Sequence, residues 1–202
     1  MIADEGRYFR FSYDEDSDMS MDKYVQVAAS GPDMKPTIML TTISAIYEAK
    51  KRIYITTPYF IPVESVLQAL KTQALSGVDV RLLVPRTGDS ILVNAAAYSY
   101  YEEILKEGVR VYFYDKGFVH SKTMLIDDHF SSIGTANMDV RSHELNFEVN
   151  TYIYDRAINQ KLYEVFLEDI KGSQEIYYEE WLSRSKPKMF LEHLARLFSP
   201  LL

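Results

Sequence analysis

Hydrophobic positions recur along the chain with two periods, and the two patterns follow each other in a regular order. Apolar residues three and four positions apart predict helices, because such residues share one helical face. These helices span 36–51, 64–75, 91–106 and 156–170, and a basic amphipathic segment covers 182–202. Short runs of β-branched and aromatic residues predict strands at 23–28, 52–57, 79–84, 109–114, 119–126, 130–133 and 146–154. Strand, helix and strand in this order indicate parallel crossovers, so we predict an α/β fold with a mixed sheet and helices on its faces.

The composition is that of one globular domain. A chain of 202 residues, 47% hydrophobic and 25% charged, is long enough to bury one core. Its net charge of -7 and pI near 5.2 argue against a nucleic-acid partner, since such binding depends on clustered Lys and Arg. The absence of cysteine excludes disulfides and thiolate metal sites.

The first 23 residues differ from the rest in charge and pattern. Acidic residues outnumber basic ones there, and the apolar residues show little periodicity. We expect residues 1–23 to be an acidic linker or the remnant of a preceding segment, and 24–202 to be a single domain. No run reaches the ~18 apolar residues that a transmembrane helix needs, so we expect the chain itself to be soluble or peripheral.

Candidate chemistry is concentrated between Val119 and Glu148. His120 and Lys122 are two residues apart on a predicted strand, so their side chains should point to the same side. A neutral imidazole can act as a nucleophile, and a nearby ammonium can offset charge on phosphate oxygens. The pair therefore indicates a site that handles phosphodiesters.

The next two predicted strands bring further polar groups to the same place. Strand 130–133 leads into Gly134, Thr135 and Asn137, whose hydroxyl, amide and backbone N–H groups can hold phosphate oxygens. Strand 146–154 returns with Glu148, which we expect to hydrogen-bond one ring nitrogen of His120 and so orient the ring. Such a site needs no metal ion and no cofactor. His129 and His143 lie near His120 in sequence, so a metal site formed by the three histidines is conceivable. The ammonium group of Lys122 at its centre would repel a bound cation.

These residues resemble a known signature. The pattern His-x-Lys-x4-Asp-x6-Gly-Thr-x-Asn, with Asp127 as its aspartate, is similar to that of the phospholipase D superfamily. Other segments resemble the carboxy-terminal catalytic half of the bacterial cardiolipin synthases, from about Val25 onward. They read SGPD, TPYFIP, SGVDVRLLVP, GTANMDVRS, LNFEVN and SPLL.

The resemblance implies a fold, a reaction and a set of site residues. The fold would be a phospholipase D-like mixed β-sheet flanked by helices on both faces. The reaction would join two phosphatidylglycerol molecules into cardiolipin and release glycerol through a phosphatidyl-histidine intermediate. His120, Lys122, Glu148 and Asp127 fall on catalytic positions, with Asp127 in a structural or supporting role. Substrate would be bound by a second set of residues: Asn137, Thr135, Gly134 and Tyr59.

The resemblance also implies partners. Enzymes of this kind carry two copies of the signature, whereas this chain has one, so a second histidine would come from a missing amino-terminal half or from a homodimer partner. Phosphatidylglycerol and an anionic membrane surface are the other expected partners, and the full-length bacterial enzyme would lie at the cell membrane. A single-motif chain that meets no partner would be inactive.

Several alternatives stay open at this stage. The chain could be a hydrolase of the phospholipase or nuclease type, with water as the acceptor, or a catalytically silent module for membrane docking or dimerisation. Tyr59 could pack in the core instead of binding lipid. The basic segment 182–202 could lie on a membrane or pack against its own domain.

Overall fold

A mixed β-sheet of eight strands forms the centre of the fold in the computed structural model, which describes residues 23–201. Only the last residue of the expected acidic linker, Lys23, falls within the described residues. The strand order across the sheet is β1-β9-β7-β6-β2-β4-β5-β10, and β3 and β8 form a separate short pair. The strands are β1 (Tyr24–Ser30), β2 (Arg52–Thr56), β3 (Phe60–Ile61), β4 (Asp79–Pro85), β5 (Arg110–Tyr114), β6 (Thr123–Ile126), β7 (Phe130–Gly134), β8 (Met138–Asp139), β9 (Glu148–Tyr154) and β10 (Ser173–Ile176).

Helices cover both faces of this sheet. Helices α1, α2 and α3 pack on the larger core cluster, while α5 covers the smaller one through Phe166. Side chains of β2 alternate between these clusters, with Ile53 and Ile55 on one side and Tyr54 on the other, as the period of a strand requires. The helices are α1 (Thr37–Glu48), α2 (Glu64–Leu75), α3 (Ile91–Lys106), α4 (Val140–Glu144), α5 (Arg156–Lys171), α6 (Tyr178–Leu182) and α7 (Lys186–Arg196), followed by a 3-10 turn at Ser199–Leu201.

The directions of the strands bring many chain ends to one edge of the sheet. Strands β2, β4 and β5 are parallel, and β6 runs antiparallel to β2 with Thr123 opposite Thr56. Strand β7 is antiparallel to both β6 and β9. The carboxyl ends of β2, β4, β5 and β7 therefore lie at the same edge as the beginnings of β6 and β9.

The structure confirms the predicted α/β fold with helices on both faces, and it corrects some boundaries. Strand β6 begins at Thr123 rather than at residue 119, so His120 and Lys122 lie in the extended segment before it. Strand β10 was not predicted; it adds an antiparallel edge beside β5. Within residues 23–201, no helix has the length and apolar character needed to cross a bilayer.

The carboxy-terminal segment has an unexpected orientation. Helix α7 buries Glu192 and Ala195 against the domain, whereas most of its large apolar side chains face outward. Glu192 accepts a hydrogen bond from Arg184 at 2.9 Å, and the Arg184 guanidinium stacks 3.4 Å above the ring centre of buried Trp181. The side of the helix that packs thus carries Glu192 and Ala195 rather than the large apolar residues.

Candidate active site

The residues of the signature meet at the edge of the sheet just described. His120 and Lys122 precede β6, Thr135 and Asn137 follow β7, and Glu148 opens β9. Gly134 donates its N–H to the Lys122 carbonyl at 3.2 Å, and Thr135 donates its N–H to Val149 O at 2.9 Å. These bonds extend the pairing of β7 beyond its ends and hold the segments side by side.

His120 and Lys122 are in direct contact. The Lys122 Nζ lies 3.2 Å from His120 Nε2 and donates a hydrogen bond of 2.9 Å to the His120 carbonyl. His120 is exposed, and its ring lies 5.6 Å from that of Phe118, which in turn lies 6.2 Å from Tyr59. Partial burial lowers the pKa of Lys122, and the negative charges of Glu148 and Asp139 oppose this shift. The geometry joins an accessible imidazole to an amine whose charged form is disfavoured by burial and favoured by two nearby carboxylates.

Glu148 occupies the expected place but makes different hydrogen bonds. Its carboxylate accepts the Thr135 hydroxyl and the Asn146 amide, the latter at 3.3 Å. No hydrogen bond joins it to His120 among the residues that the structure describes. The expectation that Glu148 orients the His120 ring directly is therefore wrong for this structure, and its influence on the pair is its charge near Lys122.

The backbone of the Gly134 loop is also committed to the fold. The N–H groups of Gly134 and Thr135 donate to the carbonyl oxygens of Lys122 and Val149, and the N–H group of Ala136 donates to Asn150 Oδ1 at 3.3 Å. The expectation that the N–H groups of Gly134 and Thr135 are free for phosphate is wrong, because each already has an acceptor. Gly134 is required for another reason: a Cβ there would lie 2.4 Å from the Val149 carbonyl oxygen and 2.1 Å from Asn150 Oδ1.

Asp127 lies at the other end of β6 from His120 and serves the fold. Its carboxylate accepts backbone N–H bonds of 3.0 Å from Lys50, 2.7 Å from Lys51 and 3.1 Å from Arg52. The residue is buried and has a φ of 50° in the β6–β7 turn. Asp127 is therefore not a catalytic position, and that expectation is corrected. Its role is structural, as the resemblance also implied, because its carboxylate ties the β6–β7 hairpin to the start of β2.

A cavity of about 380 Å³ opens at Asn137, the one signature residue in its lining. Tyr59 lines it and donates its hydroxyl to Asp89 at 2.6 Å; burial first, and then this carboxylate, raises the pKa of Tyr59 to about 12. The amide oxygen of Asn137 is buried without a hydrogen-bond partner among the described residues. Sequence reasoning assigned no role to the remaining polar residues of the lining, which are Asp89, Ser90, Asp139, Arg141 and Asn146.

Two of these missed residues, Asp139 and Arg141, follow Asn137 closely in the chain. Asp139 is buried and accepts the Ser142 N–H at 2.7 Å, so it caps α4. Burial raises the pKa of Asp139, while this N–H opposes the shift. Arg141 is exposed and has no carboxylate within ion-pair distance among the described residues. Both belong to the quoted segment GTANMDVRS, and their charge beside Asn137 was the signal available in the sequence.

His143 lies behind Lys122 and is almost fully buried. Its Nδ1 has no partner among the described residues, and it lines a small internal space of about 10 Å³ together with Lys122 and Asn150. Burial lowers the pKa of His143 to about 4, despite the nearby charge of Glu148. This histidine is therefore neutral at physiological pH. No group of metal-ligating side chains occurs in the described part of the chain.

Comparisons with known proteins point to one family. Residues 42–170 match the family model described as cardiolipin synthase, PLD-like domain. The chain is 47% identical over 179 residues to cardiolipin synthase 2 of Bacillus anthracis, which covers 88% of this chain and 35% of that protein. It is 46% identical, over 88% of its length, to the major cardiolipin synthase ClsA of Bacillus subtilis, of which it covers 37%. The chain thus spans about a third of the length of these curated relatives.

Solved structures share the fold at low sequence identity. Phosphatidylserine synthase of Haemophilus influenzae superposes with a TM-score of 0.71 at 16% identity, over 88% of this chain and 48% of that one. The phospholipase D family member Nuc of Salmonella typhimurium superposes with a TM-score of 0.66 at 21% identity, over 77% of this chain and 99% of that one. The family model covers most of the chain, and it includes every signature residue from His120 to Glu148. This protein therefore belongs to the family of cardiolipin synthase, phospholipase D-like domains.

Proposed function

We propose that this domain supplies one half of the active site of a cardiolipin synthase-type phosphatidyltransferase. In the proposed reaction two phosphatidylglycerol molecules give one cardiolipin and one glycerol. The observation that carries the proposal is the contact of 3.2 Å between His120 Nε2 and Lys122 Nζ. Membership in the cardiolipin synthase family supports the choice of substrate.

The reaction proceeds in two exchanges at phosphorus. An imidazole nitrogen bonds to the phosphorus of the first phosphatidylglycerol while the bond from phosphorus to the glycerol oxygen breaks, and glycerol leaves with a proton from a general acid. A glycerol hydroxyl of the second phosphatidylglycerol then attacks the phosphorus, loses its proton to the same group, and displaces the imidazole. One phosphodiester replaces another, so no nucleotide or other energy source is required.

Lys122 would act before and during these steps. Its Nζ lies 3.2 Å from His120 Nε2, and in the tautomer with the lone pair on Nε2 the ammonium donates to that nitrogen and keeps it occupied. An incoming phosphodiester offers the ammonium a stronger, charged acceptor, so binding would release Nε2 for attack. Lys122 would then offset the charge that develops on the non-bridging oxygens. Its partly buried position strengthens that interaction, because the local dielectric is lower than that of water.

The polar cavity suits the headgroup of phosphatidylglycerol. Arg141 offers a planar guanidinium that pairs with no carboxylate among the described residues, although Asp89 and Asp139 line the same cavity, so it can contact a phosphate. Asp89 and Asn146 offer acceptors for glycerol hydroxyls. The unpaired amide oxygen of Asn137 provides a further acceptor at the inner end of the cavity. We assign this cavity to the glycerol headgroup.

A second imidazole must come from another unit that bears the same motif, in a longer chain or in a second copy. One face of the sheet beside the site remains open to such a unit. It carries apolar side chains that are 37 to 49% exposed, namely Val25, Val27, Ile133 and Val149. These residues share one face in the register of β1, β9 and β7. Val149 pairs directly with the Thr135 loop, so a unit bound there would reach the site.

The test is a mixed-micelle assay with labelled phosphatidylglycerol, run on this chain and on a longer protein that contains it. We expect cardiolipin and glycerol as products and an acid-labile phosphatidyl adduct on histidine. His120→Ala should abolish turnover, and the control His129→Ala, at an exposed histidine outside the cluster, should not. Full turnover by His120→Ala would overturn the assignment, and phosphatidic acid in place of cardiolipin would identify a hydrolase.

A second experiment addresses the headgroup cavity. Arg141→Gln should raise KM for phosphatidylglycerol by about tenfold, the cost of one charge-assisted contact, with little change in the unfolding free energy. The matched control is Arg156→Gln, an exposed arginine at the start of α5. Equal KM values for the two variants would remove Arg141 from the substrate site.

A further inference from the structure

Helix α7 presents its apolar residues to the outside of the molecule. Glu192, Ala195 and Ser199 are each at most 5% exposed and face the domain. The outward residues repeat at helical spacing and are 45 to 74% exposed: Phe190, Leu191, Leu194, Leu197, Phe198 and Leu201. We call these six residues the α7 face. A soluble helix normally has the opposite arrangement.

Specific interactions fix this orientation. Buried Glu192 is paired with Arg184, so rotation of the helix would break this ion pair. Arg196 bonds to Glu103 at 2.7 Å and stacks 4.0 Å above the ring centre of Tyr100. Glu192 and Arg196 are thereby used for packing, and the outward position of the leucines and phenylalanines follows from these contacts.

The α7 face is continuous with the wall of the substrate cavity. Leu191 and Lys188 line a groove of about 360 Å³ together with Ile91, which opens α3 and is 91% exposed. Ser90 and Val93, in the same turn of α3, line the headgroup cavity. One helical turn therefore separates the apolar groove from the proposed phosphate site.

The charge around the α7 face selects an anionic partner. Lys186 and Lys188 lie at the start of the helix, are exposed, and have no carboxylate within ion-pair distance among the described residues. The acid of this helix, Glu192, is buried and paired. Outward leucines and phenylalanines beside free lysines are the pattern of a helix that lies in the interface of an anionic bilayer.

We propose that the α7 face, with the first turn of α3, is a membrane-binding surface that inserts its apolar side chains into an anionic bilayer beside the active site. The choice of a bilayer as the occupant rests on the proposed function, since a phosphatidyl group remains in the membrane while its headgroup reacts. When the domain is bound in this way, the acyl chains of the substrate stay in the bilayer while its headgroup passes the first turn of α3 into the cavity.

The test is co-sedimentation of the chain with vesicles of phosphatidylcholine alone or mixed with phosphatidylserine or phosphatidylglycerol. We expect binding to both anionic mixtures and weak binding to phosphatidylcholine. Phe190→Ser with Leu197→Ser should lower the partition coefficient by at least about tenfold, given the apolar surface withdrawn. The matched control is Leu75→Ser with Val165→Ser, at positions 69% and 60% exposed on other helices, and it should bind like the wild type.

A second pair of variants tests the charge. Lys186→Gln and Lys188→Gln should each lower binding to anionic vesicles by roughly fivefold, with no effect on neutral vesicles. Lys106→Gln and Lys161→Gln, exposed lysines elsewhere, are the controls and should have little effect.

Three outcomes would overturn the inference. In the first, the variants of the α7 face bind vesicles like the wild type, and in the second, the control variants lose as much binding as they do. In the third, Phe190→Ser with Leu197→Ser changes a dimer into a monomer without changing vesicle binding. The last result would identify a second copy as the occupant. The phosphatidylserine arm separates this inference from the proposed function. Binding there, with no phosphatidylglycerol turnover by a longer protein that supplies the second motif, would refute the reaction and leave the surface standing. Turnover without vesicle binding would refute the surface and leave the reaction standing.

Discussion

Replacing Asp127 tests whether the aspartate of the signature serves the fold or the chemistry. In Asp127→Asn one oxygen can still accept the N–H groups of Lys51 and Arg52, which bond to Oδ1 at 2.7 and 3.1 Å. The amide nitrogen replaces Oδ2, the closer acceptor for the Lys50 N–H at 3.0 Å. Two donors would then face each other. In Asp127→Ala all three N–H groups lose their acceptor.

The expected losses of stability follow from these bonds. A hydrogen bond to a charged acceptor contributes about 1.5 to 3 kcal/mol, so Asp127→Asn should lower the free energy of unfolding by about 2 kcal/mol. Asp127→Ala should lower it by about 4 kcal/mol or more, since the backbone φ of 50° adds roughly 1 kcal/mol for a residue with a Cβ and no side-chain hydrogen bond. Asparagine tolerates that φ better.

The assay is urea unfolding followed by circular dichroism. Asp128→Asn and Asp128→Ala are the controls, because Asp128 is the next residue, is 44% exposed at its side chain, and pairs only with surface Lys51 and partly exposed Arg52. They should change stability by at most about 1 kcal/mol. Asp127→Asn with wild-type stability and lost turnover would refute the structural role and return Asp127 to the chemistry.

Three further perturbations test other parts of the site. Gly134→Ala should lower the free energy of unfolding by about 1 to 3 kcal/mol in urea titrations, because the new Cβ meets the Val149 carbonyl oxygen at 2.4 Å. His143 has a folded pKa near 4 against 6.5, so the unfolded chain binds the proton first as pH falls. Stability should therefore drop by up to about 3 kcal/mol between pH 6.5 and pH 4, and His143→Leu should remove that slope in thermal melts. Glu192→Gln should cost about 3 kcal/mol, measured in the same melts, because it leaves the Arg184 guanidinium unpaired.

Each perturbation has a matched control. Gly31→Ala places a Cβ against the ring of Phe147, an exposed side chain that can turn away, and at an ordinary contact distance of 3.4 Å from the Met34 sulfur, so it should have a small effect. His129→Leu changes an exposed histidine and should keep the pH slope. Glu168→Gln breaks an exposed pair with Lys171 and should be nearly neutral. Equal effects of variant and control would contradict the physical reason given in each case.

Local pattern determined the elements and the identity of the central residues. The helices at 64–75 and 91–106 have the predicted bounds, because helical periodicity is written in neighbouring residues. The fold class follows from the alternation of strands and helices, and the spacing of His120 and Lys122 indicated that both reach one point, which their contact of 3.2 Å bears out. Strand β10 was missed because it carries Gln174 and Glu175, whose polar side chains do not show the apolar alternation of a strand. This segment is a strand because it pairs with β5.

The tertiary structure alone decided how the polar groups are shared among partners. The order of β6, β7 and β9 assigns the Glu148 carboxylate to Thr135 rather than to His120, and assigns the Gly134 N–H to Lys122. Packing on α3 decides which side of α7 is buried, although the amphipathic pattern of 182–202 was visible in the sequence. Periodicity is a property of adjacent residues, whereas hydrogen-bond partners and the buried side of a helix depend on segments far apart in the chain. The sequence by itself therefore determined that His120 and Lys122 meet, and only the fold decided the partners of the other polar groups and which of them remain free to meet a ligand.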